Sequence, residues 1–391
     1  NGQLVRRWDF SAVPATDDVV VIGDLPPEVD DWPSISVSTG TSWQHVARGY
    51  RRLVEAKLTE GPLAPGIGPA RSAPASSAAP TSASVPAASA GSLDDVRAVV
   101  AWLHAQVRYT GIEYGDSAII PFSPAETLRR GFGDCKDKAT LLVALLRARG
   151  FDAHLALLRS GDGPDVPTTL PGLGLFDHAI VYAQVNGKPL WIDATEDLVP
   201  VGELPIRDQG RRALIIANDT TALVTTPRPR SEDNRAQQTR TIDLRQRGKS
   251  TVTEEFREWG ALAHSTRAWL RDTRADDVRS SMQRYVDREY GASELRTFTP
   301  SAPSDLTKTM QLQTVAGDAS AGELNRDYVK ISVSPGDVFD QLPGAFTDER
   351  ADGAGPRVLP FYQRQPYRVE IETRFEVPPG YDLPPARPDR A

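Results

Sequence analysis

The chain has 391 residues, 39% of them hydrophobic and 25% charged, with a formal net charge of −7. That length implies two or three domains, each able to bury a core. The acidic balance argues against a nucleic-acid partner, and no apolar run approaches the roughly 18 residues of a membrane span. A single cysteine, Cys135, excludes an intramolecular disulfide, and Cys/His clusters with zinc spacing are absent. Such sparing cysteine use fits the cytosol or an exported bacterial protein alike. The sequence opens at Asn1 without an initiator methionine, so it reads as an excerpt, with any signal peptide expected upstream.

In chain order, "RRWDFSAVPATDDVVVIGDLPPEVDDWPSISVSTG" offers short β-like pieces broken by Pro, Gly and Asp, as at the end of a β-rich domain. A connecting helix is expected in "TSWQHVARGYRRLVEAKL", capped by Ser42 and burying Trp43, Val46, Tyr50 and Leu53. Together these make a first segment, residues 1–60. Residues 61–91 are mostly Ala, Pro, Ser and Gly, a composition that buries too little apolar surface to offset its ordering entropy, and read as a linker or insert.

Folded sequence resumes over 92–225. Ser92 and Asp95 fit a capping box, and Val96, Val99, Val100, Leu103 and Val107 form the apolar stripe of a helix. A polar stretch at 226–238 reads as a linker. The remainder, 239–391, reads as a truncated β-rich domain with helices. It has a hairpin in "TRTIDLRQRGKSTVTEEFREW" and a helix ending at Gly291. The strictly alternating "YRVEIETRFEV" reads as an ordinary internal sheet strand.

The chemistry gathers around Cys135. In "GFGDCKDKATLLVALLRARG" the glycines permit a tight turn and Asp134 is a suitable N-cap. A helix over 135–149 follows, stopped by Gly150. Cys135, Ala139, Leu142 and Leu146 share one face, so the thiol ends the buried stripe at the helix mouth. There the macrodipole and the first-turn N–H groups favour a thiolate or an oxyanion. Nearby Asp134 and Asp137 oppose that charge while Lys136 and Lys138 favour it. The competing role for a lone cysteine is a small buried hydrophobe.

A base comes from "HAIVYAQVNGKPLWIDAT", two strands joined by Asn-Gly, a strong hairpin signal. With Asn186 and Gly187 in a two-residue turn, Val185 faces Lys188 and Ile180 faces Asp193. Alternate residues share a sheet face, so His178 and Asp193 lie on one face as diagonal neighbours. That is the geometry of a Cys–His–Asp triad, in which His178 takes the thiol proton and Asp193 orients the ring. Pro189 suits an edge strand. The bland alternatives are an exposed strand end for His178 and a turn-forming role before Thr195 for Asp193. His45 and His104 fall on expected helix surfaces, His154 in a strand and His264 in the C-terminal segment.

These segments, with the lead-in "VRYTGIEYGDSAIIPFSPAETLRRGFGDC", resemble the transglutaminase-like superfamily. The closest likeness is to bacterial proteins carrying this domain between two β-rich domains of uncharacterised function. The resemblance implies an α+β class: a papain-like core whose Cys-bearing helix packs on an antiparallel sheet bearing His and Asp, flanked by β-rich domains. It implies Cys135 as nucleophile, His178 as general base and Asp193 as orienting acid. Tyr109, Tyr114 and Asp134 are the nearest candidates for a further oxyanion donor or substrate-lining group. The implied activity is thioester acyl transfer on a carboxamide or peptide bond of a protein or peptide substrate, ending in cross-linking or hydrolysis. No calcium-loop spacing is present, and no metal or cofactor is expected. A periplasmic or exported location follows from the likeness alone. A second reading keeps the fold as a catalytically silent binding or assembly module at the cell envelope.

Overall fold

The computed structural model describes residues 37–38, 40–60, 91–111, 114–331 and 365–381. The β-like pieces before residue 37 and the Ala/Pro/Ser-rich stretch at 61–90 lie outside the described residues. The chain divides into two compact units. Among the described residues the first runs to Glu196 and from 201 to 228, and the second takes 197–200 and everything after 228.

In the first unit, α1 (Trp43–Thr59) begins where the Ser42 hydroxyl accepts a hydrogen bond from the His45 N–H. Its buried stripe is Trp43, Ala47, Tyr50 and Val54, whereas Leu53 is 39% exposed. The expected stripe was rotated by about one position: spacing by 4, 3 and 4 follows the 3.6-residue turn through a small alanine that looks inconspicuous in sequence. Trp43 Nε1 donates to the Thr168 carbonyl (2.8 Å) and Tyr50 Oη to that of Ile119 (2.9 Å), fixing the helix against two loops.

The helix α2 (Leu93–Gln106) buries Val96, Val99, Val100 and Leu103, and Val107 just beyond its end is buried too. Ser92 caps it by accepting from the Asp95 N–H at 3.1 Å. The expected return half of the capping box is not made, because the Asp95 carboxylate instead pairs with Arg149 in the interior. A charged guanidinium offers a buried carboxylate more than a neutral backbone N–H can.

Next come β1 (Arg108–Tyr109), α3 (Pro124–Arg130) and β2 (Phe132–Gly133), with β1 and β2 paired in parallel. Gly131 ends α3 in the left-handed region at φ 68°. At Gly133 a side chain is excluded by close approach, since a Cβ there would stand 2.8 Å from the Asp137 Cβ. The helix α4 (Cys135–Ala148) follows at once and ends one residue before the expected stop. Leu141, Leu142, Leu145 and Leu146 are essentially inaccessible to solvent, each contributing about 1.5–3 kcal/mol.

The strands β3 (Asp152–Leu158), β4 (His178–Val185), β5 (Lys188–Ile192), β6 (Arg212–Ile215) and β7 (Val224–Thr225) form an antiparallel sheet ordered β5-β4-β3-β6-β7. The β4–β5 turn has Asn186 at φ 52° and Gly187 at φ 70°, the left-handed pair of a type I′ turn. Val185 pairs with Lys188 and Val181 with Ile192, so Ile180 and Asp193 are next in register. Pro189 sits on the edge strand. Helix α4 packs across β3 and β4, the arrangement of a papain-like core.

In the second unit, β8 (Arg235–Asp243), β9 (Gly248–Glu258), β10 (Glu294–Pro300), β11 (Met310–Leu324), β12 (Val329–Ile331) and β13 (Arg368–Glu376) form a sheet ordered β10-β11-β9-β8-β13, with β12 also on β11. Helices α5 (Ala261–Asp272) and α6 (Ala275–Tyr290) accompany it, α6 ending at left-handed Gly291. The strand β8 begins inside the span read as a linker. Among the described residues β13 is an edge strand, parallel to β8, and not internal. Its alternation reflects one half-covered face and does not report how many neighbours it has.

Removing one partner of a buried ion pair leaves an uncompensated charge. Arg149→Met is expected to cost about 3–5 kcal/mol in urea unfolding, and the Asp95→Leu/Arg149→Met double variant to recover most of it. A single variant within about 1 kcal/mol of wild type would contradict a structural role for the pair.

Candidate active site

The α4 N-terminus is held by a reciprocal cap. The Asp134 carboxylate accepts from the Asp137 N–H at 3.1 Å, and the Asp137 carboxylate accepts from the Asp134 N–H at 3.3 Å. Asp137 also accepts from the Phe122 N–H at 2.8 Å, tying the preceding loop to the helix mouth. The cap thus takes the third N–H of the helix, that of Asp137. The charges that looked balanced in sequence are paired in space. Lys136 bonds to Asp134, and Lys138 donates to the Val107 carbonyl at 3.0 Å with His104 Nδ1 at 3.3 Å. His104 is therefore a half-buried neighbour of Lys138 and not a surface group.

His178 opens β4, and the type I′ turn brings Asp193, one residue past β5, to its side. His178 Nε2 lies 3.1 Å from Asp193 Oδ2, and the ring is hydrogen-bonded to the Cys135 side chain as well. With Nε2 engaged by the carboxylate, Nδ1 is the nitrogen available to sulfur. Asp193 also forms an Asx turn: its Oδ1 accepts from the Thr195 N–H (2.8 Å) and from Thr195 Oγ1 (2.7 Å). The turn-forming role and the orienting position therefore coincide, one oxygen for each. The structure brings Cys135, His178 and Asp193 into one hydrogen-bonded line.

A second carboxylate was not anticipated. Asp208, at the end of a short 3-10 turn (Ile206–Asp208), is fully buried with Oδ2 3.8 Å from His178 Nε2. Its Oδ1 accepts from Ser160 Oγ at 2.6 Å. No local pattern in "PIRDQG" announces it, because its placement depends on the 193–211 loop folding back over the start of β4. Arg207 on the same turn pairs with Glu196 and lies 3.5 Å from Asp193 Oδ2.

These groups perturb one another. Burial disfavours the charged form of His178, but the bonds with Asp193 and Cys135, with the negative fields of Asp193 and Asp208, hold it well above the ordinary imidazole range. Burial pushes Asp193 up as well, yet its bond with His178 and the two from Thr195 hold it far below the usual carboxylate range. Asp208 is pushed up to about 7, chiefly by burial, with the adjacent Asp193 charge adding to it. His178, Asp193 and Asp208 offer ligand atoms within 4.8 Å of one another, a spacing that could admit a metal ion. His178 Nε2, Asp193 Oδ2 and Asp208 Oδ1 are nevertheless engaged in hydrogen bonds, and the Arg207 cation lies 3.5 Å from Asp193 Oδ2, an environment suited to protons.

A cavity of about 300 Å³ opens on this line. Cys135, Lys136 and His178 form one wall, and Tyr50, Ile119, Leu157, Leu173 and Phe176 supply apolar surface. Tyr109 and Tyr114 are 47% and 82% exposed and do not line it. They sit on the short β1 strand and the loop after it, whose course the sequence pattern did not specify. Asp134 does not line it either, being turned into the cap; its neighbour Lys136 takes that place.

Residues 81–183 match the model of the transglutaminase-like superfamily, so the chain carries a domain of that superfamily. No curated protein matches the chain. Among solved structures, a "putative protease" from Parabacteroides distasonis is 12% identical with a TM-score of 0.32, over 55% of this chain and 37% of that one. A "putative cysteine protease" from Cytophaga hutchinsonii is 17% identical with a TM-score of 0.21, over 46% of this chain and 42% of that one. The matched region thus spans well under half of either neighbour, and scores this low carry no functional argument. Among the described residues no helix is long and apolar enough to cross a membrane.

The raised His178 has a signed consequence for stability. A group that binds its proton more tightly when folded contributes stability fully present below its unfolded value, about 6.5, and lost as pH rises through the folded value. The stability difference between wild type and His178→Asn is therefore expected to be largest near pH 6 and to shrink at alkaline pH. Urea unfolding at several pH values measures it; a difference that grows with pH would contradict the ion pair.

Proposed function

We propose that the protein is a cysteine acyltransferase or hydrolase acting through a thioester, with Cys135 as nucleophile, His178 as proton carrier and Asp193 as the group orienting the imidazole. The observation that carries this reading is His178, bonded on one side to Cys135 and on the other to a buried carboxylate, at the wall of a cavity. The carboxylate at Asp193 favours an imidazolium on His178 and the α4 mouth favours negative charge on sulfur, so the proposed resting state is a thiolate–imidazolium pair with the proton on nitrogen.

In the reaction, Cys135 Sγ forms a bond to the carbonyl carbon of a carboxamide or peptide, and the carbonyl oxygen becomes an oxyanion. The first-turn N–H groups of α4 are the nearest donors for it. The imidazolium gives its proton to the departing nitrogen as the C–N bond breaks, leaving a thioester and neutral His178. Water or an amine then attacks the thioester, His178 takes the proton of that nucleophile, and the acyl group leaves with sulfur restored as thiolate. Asp193 stabilises the charged ring at each end of the cycle and keeps one tautomer in place. A protein or peptide substrate fits this chemistry, and an exported setting remains part of the proposal through the family likeness alone.

Cys135 is the only cysteine, so intact mass after iodoacetamide treatment reads a single thiol. Alkylation is expected to be rapid at neutral pH and at least about tenfold slower in His178→Ala. A wild-type rate that follows an ordinary thiol of pKa about 8.5, indifferent to His178→Ala, would favour the silent binding module.

A further inference from the structure

The triad accounts for one carboxylate beside His178, and the site contains two. Asp208 is fully buried, yet its Oδ2 has no conventional hydrogen-bond partner, a costly condition for an ionised oxygen. That oxygen is aimed at the imidazole, 3.8 Å from Nε2, and the Asp208 and Asp193 carboxyl groups face the same ring with oxygens within 4.8 Å of each other. Two carboxylates this close cannot both ionise cheaply, and a proton between them satisfies the orphaned oxygen.

We propose that Asp208 is a positioning residue for His178: a buried carboxyl that donates a proton toward Asp193 when neutral and, once ionised, adds a second negative charge beside the imidazolium. The proposal rests on the reading of Cys135 and His178 as a reactive pair. In the neutral form the two carboxyls carry one charge between them, matched to the one imidazolium. Its anchorage is built for that purpose. Ser160 Oγ holds Oδ1, the Thr226 hydroxyl donates to the Asp208 backbone carbonyl at 2.6 Å, and the Asp208 N–H donates to the Pro205 carbonyl at 3.0 Å. As pH rises the carboxyl releases its proton and the imidazolium is held more tightly, so the charged pair with Cys135 extends to higher pH.

The other charged and titratable groups facing this cluster are few. Cys135 comes from α4 and Asp193 from the end of β5, while Arg207 on the same turn divides its attraction between Glu196 and Asp193. Asp177, adjacent to His178, has Oδ1 engaged by the Ser160 N–H at 2.7 Å. Lys136 is paired with Asp134. Of these groups, Asp193 alone places a carboxylate against Nε2.

The test uses the whole chain and two variants. Asp208→Asn keeps the size and the donor of the neutral carboxyl but cannot acquire charge; Asp208→Ala removes both. Cys135 is alkylated with iodoacetate, an anion whose reaction is favoured by a neighbouring imidazolium, so its rate falls as His178 loses its proton. Wild type is expected to keep its rate to higher pH than Asp208→Asn, whose descending limb moves down by about one unit or more. Asp208→Ala is expected to lose about tenfold or more at the plateau, with Asp208→Asn recovering most of that loss. Coincident limbs for wild type and Asp208→Asn would overturn the proposal, as would an Asp208→Asn plateau as low as that of Asp208→Ala. If wild type reacts no faster than His178→Ala, the proposed function itself fails. The His178 imidazole titration, followed by NMR and assigned with His178→Ala, then still decides the Asp208 proposal: a lower midpoint in Asp208→Asn supports it and an unchanged one overturns it.

Discussion

The hydrogen bond between His178 and Asp193 is the constraint on which the reactive part of the molecule depends. It joins a ring on the first residue of one strand to a carboxylate just past the end of the next, so it exists only in one hairpin register. A slip of one residue would send the two side chains to opposite faces of the sheet. The type I′ turn at Asn186 and Gly187 prevents that slip, because each central residue adopts the left-handed conformation such a turn requires. Thr195 then immobilises the other Asp193 oxygen, so the carboxylate is presented to the imidazole already oriented.

The sulfur arrives by a separate route. Cys135 owes its position to the reciprocal cap at the α4 mouth, to the close approach at Gly133 and to the leucines that press the helix onto β3 and β4. Charges are unusually dense there, with Asp134, Lys136, Asp137 and Lys138 all buried. Each is paired or hydrogen-bonded, which lets the first turn stay rigid without leaving an uncompensated charge beside the thiol. Rigid placement of the sulfur and the imidazole by two independent elements is the pre-organisation that the proposed acyl transfer would require.

Much of this line was legible in the sequence because it is written in local rules. Asp134 before Cys135 signals a helix start, Asn-Gly signals the turn, and strand alternation turns that signal into a shared face for His178 and Asp193. Legibility ended where position depends on the course of loops. Asp208 reaches Nε2 through a loop that folds back from residue 193, and nothing in its neighbours declares that path. Tyr109 and Tyr114 failed as lining residues for the same reason, and Asp95 left its expected cap for a buried arginine more than fifty residues away in the chain. Small residues also mislead: in the α1 stripe Ala47 takes the place expected of larger Val46, and Val54 that expected of Leu53.

The central claim is that sulfur and imidazole form a charged pair at rest, and the ultraviolet absorbance of the thiolate reports it directly. The difference spectrum between wild type and Cys135→Ser isolates this one thiol across the pH range. A thiolate band already present near neutral pH, and lost in His178→Ala, is the expected result. A band that rises only around the pH of a free thiol, about 8.5, and is the same with or without His178 would contradict the account.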